Sequence, residues 1–227
     1  MDNVFKYIFI TIINMLSRYM NKDKIEVGVD EAGRGPMLGR VYTAAVILTP
    51  EEEDFNHSLM RDSKKLSERK RLMAFDYIKE YALDYGISYR DAGNIDTINI
   101  REATLECMHD SIKQLKIIPD HILVDGNAFY CYPDPRDNDS YIEHSCVIKG
   151  DDTYTSIAAA SILAKVSRDK HIEEICDKYP ILDEYYNISK NKGYGAKVHM
   201  DGIKKYGITK FHRKSFGICK ISKCIQL

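Results

Sequence analysis

The stretch Val27-Gly28-Val29-Asp30-Glu31-Ala32-Gly33-Arg34-Gly35-Pro36 carries the strongest structural signal in this chain. A short apolar run leads into two adjacent carboxylates, and a Gly-Arg-Gly turn follows. Pro36 prevents the turn from continuing as a strand. Carboxylates at the end of a buried strand are costly unless something binds them, and hard divalent cations prefer oxygen ligands. The stretch therefore predicts a buried strand that delivers Asp30 and Glu31 to a divalent metal.

The turn that follows this strand is suited to a polyanion. Its glycines allow a ligand to approach the backbone closely, and the guanidinium of Arg34 can contact phosphate. A second basic region lies at the C-terminus: from Lys190 to Leu227 lysine and arginine recur, and Asp201 is the one acid. On a chain whose formal net charge is −1, this uneven distribution favours a phosphate-binding surface.

Length and composition indicate a globular protein. The chain has 227 residues, of which 44% are hydrophobic and 30% charged, which fits one large domain or one domain with a small appendage. Six cysteines are scattered without a Cys-x-x-Cys pair, so a zinc site is not expected. We expect reduced, ordinary thiols.

The N-terminal segment is apolar but does not match a targeting signal. Val4–Leu16 is too short for a transmembrane helix and is interrupted by Lys6, Thr11 and Asn14. It lacks the basic leader and small-residue cleavage site of a signal peptide and the arginines of a transit peptide. We expect a packed N-terminal helix; translation starting at Met15 or Met20 is the alternative.

The remaining pattern predicts an α/β core. Apolar, β-branched runs bounded by turn residues predict strands at 25–29, 41–48, 85–89, 121–124 and 145–148. Helical periodicity covers 67–81, 100–115 and the small-residue run 156–165. We predict an N-terminal extension at 1–24, a core at 25–180 and a basic helical part at 181–227, with the boundary near Pro180.

Three of the predicted strands end in carboxylates, namely Asp30-Glu31, Asp125 and Asp151-Asp152. In an open α/β sheet, ligands gather at the carboxyl ends of strands. If the strands are neighbours, the acids converge and repel one another, and Mg²⁺ or Mn²⁺ would relieve that repulsion. Paired metals activate water and stabilise the leaving oxygen of a phosphodiester. A single Asp is more often a cap or turn residue, so this interpretation depends on convergence.

Seven short elements, in order along the chain, resemble ribonuclease HII, the type-two ribonuclease H. They cover about 25–216 and are Asp30–Pro36, Asp62–Leu66, Ile95–Thr104, Val124–Asn127, Lys149–Asp151 with the helix through Asp169, Lys192–Gly195 with His199, and His212–Phe216. One such motif would be weak, but seven in order are highly specific.

The resemblance implies a ribonuclease H-like mixed β-sheet flanked by helices, with a small helical C-terminal appendage. It implies endonucleolytic cleavage of the RNA strand of RNA–DNA hybrids. It also implies incision 5′ of single ribonucleotides embedded in duplex DNA, as in ribonucleotide excision repair, leaving a 3′-hydroxyl and a 5′-phosphate.

The same resemblance implies the roles of individual residues. The metal ligands, for two Mg²⁺ or Mn²⁺ ions, would be Asp30, Glu31, Asp125 and Asp151. Asp151 is preferred to Asp152 because the family's acid follows Lys-Gly. The residues that read the ribose-to-deoxyribose junction would be Gly33, Arg34, Gly35 and Tyr194. Those that hold backbone phosphates would be Lys64, Lys65, Lys192 and Arg213. His199 and His212 receive no chemical role.

The subtype also follows from the resemblance. Ribonuclease HIII usually carries a Gly-Lys-Gly loop and a longer N-terminal domain, whereas this chain has Gly-Arg-Gly and about two dozen preceding residues. The single-chain bacterial form is the better match. We therefore expect a cytoplasmic monomer that binds nucleic acid, needs no obligate protein subunit and does not engage a membrane.

Two other functions remain as alternatives. The first is a module that binds hybrids without cutting them, which the presence of all four expected carboxylates argues against. The second is a nucleotide-binding protein built on Gly33, Gly35 and Gly39. That spacing is G-x-G-x-x-x-G, Pro36 disrupts the helix start it needs, and no Gly-Lys-Ser/Thr follows.

Overall fold

The structure is a computed structural model that describes residues 16–49, 55–60, 63 and 66–226. The helix predicted over Val4–Leu16 lies outside the described residues except for Leu16, and so do Lys64 and Lys65. Two compact units are present. The first comprises 1–29, 46–84 and 116–162, and the second 30–45, 85–115 and 163–227. The division predicted near Pro180 stays a prediction.

Six strands form one mixed sheet, as predicted. They are β1 (Glu26–Ala32), β2 (Val41–Ile47), β3 (Asp84–Arg90), β4 (His121–Asp125), β5 (Tyr132–Pro133) and β6 (Tyr141–Val147), in the order β3-β2-β1-β4-β6-β5. β4 runs parallel to β1 and to β6, and β5 is antiparallel to β6. All five predicted strands are confirmed; β6 begins earlier than its apolar run suggested, and β5 was not predicted.

Seven α-helices occur in the described part of the chain. They are α1 (Glu68–Tyr81), α2 (Ala92–Ile98), α3 (Ile100–Lys113), α4 (Thr155–Lys178), α5 (Ile181–Tyr186), α6 (Ile188–Asn191) and α7 (Lys197–Tyr206). The three predicted helices are confirmed, although α4 continues well beyond residue 165. Short 3₁₀ helices span His57–Leu59, Gly150–Asp152 and Gly217–Ile221.

Helix boundaries follow local capping chemistry. The side chain of Ser67 accepts a hydrogen bond from the backbone N–H of Lys70 and so begins α1. Asn99 adopts a positive φ of 69° and accepts from the N–H groups of Arg101 and Glu102 at the start of α3. Asn99 thereby separates α2 from α3 with a single residue.

In the first unit, strand β1 and the start of α4 approach each other at backbone distance. A Cβ on Gly28 would lie 2.2 Å from the carbonyl carbon of Ser156. The small residues Ala158, Ala159 and Ala160 continue α4 and are fully buried. Only glycine fits at position 28, because no shift of a side chain could relieve a clash with backbone.

The second unit has its own apolar core. Leu38, Ile172, Leu182 and Tyr186 are at its centre, and aromatic side chains such as Phe211 pack around them. A smaller cluster joins Val41, Ile95 and Ala103. Helices α5 and α7 contact each other in this unit, so the basic C-terminal part is folded.

Two expectations from composition can be compared with the structure. All six cysteines are free; Cys107, Cys176 and Cys219 are buried, and Cys131, Cys146 and Cys224 are exposed. Among the described residues, no helix combines the length and apolar character needed to cross a bilayer.

We predict that Gly28→Ala lowers the free energy of unfolding by about 3 kcal/mol, because the new methyl group would overlap the backbone of α4. Chemical denaturation monitored by circular dichroism measures this change. Gly195→Ala is the control: its Cβ would meet Met37 Cε at 3.7 Å, an ordinary contact. Equal stability of the two variants would contradict the close approach.

Candidate active site

The second unit contains the first pair of predicted metal ligands. Asp30 and Glu31 lie in the last part of β1, where the side chain of Asp30 is buried and that of Glu31 is half-buried. The backbone N–H of Glu31 donates to Asp30 Oδ1 at 2.6 Å. Arg34 Nη1 lies 3.3 Å from Glu31 Oε1, so the turn residue and this carboxylate form an ion pair.

The first unit contains the other two predicted ligands close to each other. Asp125 ends β4, and its Oδ1 accepts a hydrogen bond of 2.7 Å from the backbone N–H of Gly150. Asp151 follows Gly150 in a 3₁₀ helix and is buried. Lys149, in the left-handed region with φ of 58°, makes the turn that brings Gly150 back to Asp125.

The strand register relates these acids along the chain. Val29 of β1 pairs with Val124 of the parallel strand β4, and the next residues are Asp30 and Asp125. Within residues 16–49, 55–60, 63 and 66–226, no group of three or more His, Cys, Asp or Glu side chains is arranged to hold a metal. The shared four-carboxylate centre therefore stays a prediction.

A buried arginine in the second unit holds the Gly33-Arg34-Gly35 turn through hydrogen bonds to its backbone. All three guanidinium nitrogen atoms of Arg213 donate to backbone carbonyls: Nη2 to Gly33 (2.6 Å), Nη1 to Arg34 (2.9 Å) and Nε to Gly39 (3.0 Å). The side chain is 0% exposed. All three donors of Arg213 are committed to the turn, and a phosphate contact by this residue stays a prediction.

A second buried arginine lies beside the same turn. A Cβ on Gly33, whose φ is +95°, would lie 2.3 Å from Arg168 Nε. Arg168 Nη2 donates to the carbonyl of Lys192 at 2.7 Å, whereas Nε and Nη1 have no hydrogen-bond partner in the described structure. Burial, followed by the charge of Arg168, lowers the pKa of Arg213 to about 9, so Arg213 remains a cation at neutral pH.

Arg168 and Arg213 place two buried positive charges next to the turn. Within the described residues, neither Arg168 nor Arg213 has a carboxylate in hydrogen-bond contact. A buried positive charge that lacks a paired anion favours an anion at the adjacent surface. The exposed backbone of Gly35 is therefore suited to a phosphate-bearing ligand.

Tyr194 lies next to this turn. Its Cε1 would be 3.6 Å from a Cβ on Gly35, and its ring centroid is 5.7 Å from Arg168 Cζ. The backbone is joined by a hydrogen bond from the Met37 N–H to the Gly193 carbonyl at 2.9 Å. Tyr194 is 48% exposed, so the phenol is available to a ligand.

Comparison with known proteins identifies the family. A family model described as ribonuclease HII matches residues 27–219. Ribonuclease HII of Parabacteroides distasonis is 46% identical over 202 residues, which span 89% of this chain and 94% of that protein. The chain belongs to the ribonuclease HII family. Ribonuclease HII of Bacteroides thetaiotaomicron is 45% identical over 204 residues, 90% of this chain and 95% of that protein.

Solved structures agree with this membership. The crystal structure of ribonuclease H2 from Pyrococcus horikoshii OT3 superimposes with a TM-score of 0.69 at 25% identity, covering 86% of this chain and 95% of that one. The ribonuclease H-like α/β fold is thereby confirmed. As a member of the ribonuclease HII family, the protein is a hydrolase with ribonuclease H activity.

The remaining predicted residues have differing surroundings. Lys192 Nζ forms an ion pair with Glu173 Oε1 at 2.9 Å and is half-buried, so contact with phosphate would compete with this pair. Lys64 and Lys65 lie outside the described residues. Arg168 was not among the predicted site residues, although an arginine on an otherwise apolar helix face was an available signal.

We predict that Arg213→Lys lowers the free energy of unfolding by about 3 kcal/mol, because a single ammonium cannot reach all three carbonyls. Urea denaturation measures the loss. Arg34→Lys is the matched control, since Arg34 is exposed and its ion pair tolerates lysine. If Arg213→Lys leaves the stability unchanged but weakens duplex binding, the result would support a phosphate contact by Arg213.

Proposed function

We propose that the protein cleaves the RNA strand of RNA–DNA hybrids and also incises duplex DNA 5′ of a single embedded ribonucleotide, leaving a 3′-hydroxyl and a 5′-phosphate. One observation supports this most strongly. The Gly33-Arg34-Gly35 turn lies beside the half-exposed Tyr194, and the same unit carries Asp30 and Glu31. A ribose-reading surface thus adjoins two of the acids needed for hydrolysis.

The donor set fits a hard divalent cation. Asp30 and Asp151 are buried, and Asp125 is fixed through Oδ1 by the Gly150 N–H. Buried carboxylates are stabilised by a cation with oxygen preference, which favours Mg²⁺ or Mn²⁺ over softer metals. The residues that would hold the ions are Asp30, Glu31, Asp125 and Asp151. When bound, such ions activate water and stabilise the leaving oxygen of the scissile phosphodiester.

The other residues of the site act on the substrate rather than on the metal. The 2′-hydroxyl distinguishes RNA from DNA, and the backbone at the exposed Gly35 can approach it without a side chain between them, while Gly33 shapes the turn. The ring of Tyr194 can stack on the neighbouring sugar while its hydroxyl donates a hydrogen bond. Arg34, Lys64, Lys65 and Lys192 would contact backbone phosphates, which positions a duplex without reading its sequence.

The proposed cellular setting is simple. We propose that the protein works in the cytoplasm as a single chain, without an obligate protein subunit, on ribonucleotides incorporated into DNA. The metal used in the cell follows from availability as well as from the ligands, since both Mg²⁺ and Mn²⁺ suit carboxylates.

The decisive experiment uses purified protein and a DNA duplex with one ribonucleotide, incubated with Mg²⁺, Mn²⁺ or EDTA. We expect a metal-dependent nick immediately 5′ of the ribonucleotide. Cleavage of a long RNA–DNA hybrid without this nick would keep the nuclease but remove junction reading from Gly33, Gly35 and Tyr194. Binding of both substrates without cleavage would support the hybrid-binding module instead.

We predict that Asp125→Asn abolishes cleavage and, in EDTA at neutral pH, raises the free energy of unfolding by about 1 kcal/mol. The amide removes one of several mutually repelling charges, while its Oδ1 still accepts from Gly150. Thermal melting in EDTA and the nicking assay measure the two effects.

Asp152→Asn is the matched control for this variant, because Asp152 is the exposed neighbour of Asp151 in the same 3₁₀ helix. We expect it to keep cleavage within about twofold, since the loss of a surface charge changes little. A lower melting temperature for Asp125→Asn than for wild type in EDTA would argue against clustered carboxylates.

A further inference from the structure

Two buried histidines lie behind Tyr194 in the second unit. His199 in α7 is 0% exposed and His212 is 1% exposed. Their Nε2 atoms are 3.1 Å apart, which is hydrogen-bond distance. The role of this pair in the site is not explained by metal binding or by contact with the duplex, because neither imidazole reaches the surface.

The hydrogen-bond partners determine the protonation of both rings. The backbone N–H of Thr209 donates to His212 Nδ1 at 2.9 Å, so that nitrogen carries no proton. A neutral His212 therefore carries its proton on Nε2 and donates it to His199 Nε2. His199 in turn carries its proton on Nδ1, which lies 2.9 Å from the carbonyl oxygen of Tyr194.

The result is a directed chain of hydrogen bonds that runs from Thr209 through His212 and His199 to Tyr194. Only this arrangement satisfies every donor and acceptor, because the Thr209 N–H can only donate and the Tyr194 carbonyl can only accept. The Tyr194 carbonyl also accepts from the Ala196 N–H at 2.8 Å. The backbone that carries the phenol ring is thus fixed at its carbonyl from two sides.

The surroundings keep this chain uncharged. The ring of Tyr186 packs edge-on against both imidazoles, and its hydroxyl donates to the Gly207 carbonyl at 2.9 Å. Burial lowers the pKa of His199, and burial together with His199 lowers the pKa of His212 to about 3. Both histidines are neutral at the pH where a nuclease works, so the direction of the chain is constant.

We propose that His199 and His212 are positioning residues for ribose recognition, which hold the Tyr194 backbone through a neutral, directed hydrogen-bond chain and so orient the exposed phenol toward the junction. This role rests on the proposed function, because the ribose contact belongs to Tyr194. Neither histidine touches substrate; each acts through the tyrosine. The structural basis is the contact between His199 Nδ1 and the Tyr194 carbonyl.

The first test uses the wild-type protein and needs no substrate. Long-range ¹H–¹⁵N NMR spectra of the imidazoles distinguish the two neutral tautomers and the cation. We expect His199 as the Nδ1–H tautomer and His212 as the Nε2–H tautomer at pH 7. An Nε2–H tautomer for His199, or a cationic form of either ring at pH 7, would overturn the proposal.

The second test compares His199→Asn with His199→Gln. The amide of Asn occupies the place of Nδ1 and can still donate to the Tyr194 carbonyl. The amide of Gln lies nearer the place of Nε2 and cannot. We expect Gln to lower kcat/KM at a single ribonucleotide about tenfold relative to a long hybrid, the same effect that we expect of Tyr194→Ala, and Asn to remain within about twofold of wild type.

The outcomes separate the possible explanations. Equal losses in folded Asn and Gln variants, or an unchanged substrate ratio in the Gln variant, would refute the positioning role. Thermal melting of each variant identifies one that fails to fold, and the tautomer test then decides. If wild type itself does not nick at a ribonucleotide, the proposed function fails and the recognition role with it, whereas the NMR result would still report the hydrogen-bond chain.

Discussion

The contact between Arg213 and three backbone carbonyls is the constraint on which the Gly33-Arg34-Gly35 turn depends. A buried guanidinium is costly unless its donors are satisfied, and here they are satisfied by the turn that joins β1 to β2. These hydrogen bonds hold the turn in one conformation. The cation that stabilises the turn also contributes positive potential beneath it, so folding and anion affinity have a common origin.

In the first unit, backbone contacts position the carboxylates. Asp125 and Asp151 come from separate elements, and the N–H of Gly150, the residue before Asp151, donates directly to Asp125 Oδ1. The parallel ladder of β4 with β6 brings the carboxyl ends of these two strands to the same edge of the sheet. The β4–β6 ladder ends at the pair Asp125 and Val147, so the ladder determines the position of Asp125.

The sequence predicted those features that depend on neighbours along the chain. Apolar runs identified β2 and β4 with ends correct to within one residue and the start of β1 equally well, since strand burial is visible in a few consecutive residues; β1 continues three residues past its predicted end. The resemblance to ribonuclease HII supplied the fold and the family, and both are confirmed. Gly35 and Tyr194, which are far apart in sequence and which the resemblance grouped, lie next to each other; their role in reading the junction stays a prediction.

Features that depend on three-dimensional burial were not predictable in this way. Arg213 lies in a basic segment, where the sequence pattern predicts a phosphate contact. Only the packed structure shows that its donors are turned toward backbone carbonyls. The partnership of His199 with His212 requires α7 and the following loop to fold together, which no local pattern encodes. The extent of α4 was underestimated because its later turns carry charged residues that interrupt the apolar pattern.

The absence of a side chain at Gly28 has a consequence for genetics. Every single-base missense change in a glycine codon introduces at least a Cβ, and at this position even the smallest one overlaps the α4 backbone. α4 begins shortly after Asp151, so a substitution at Gly28 that displaces the helix would also displace the Asp151 carboxylate. A loss-of-function screen would therefore recover substitutions of Gly28 together with substitutions of the predicted metal ligands, although Gly28 contributes no atom to the reaction.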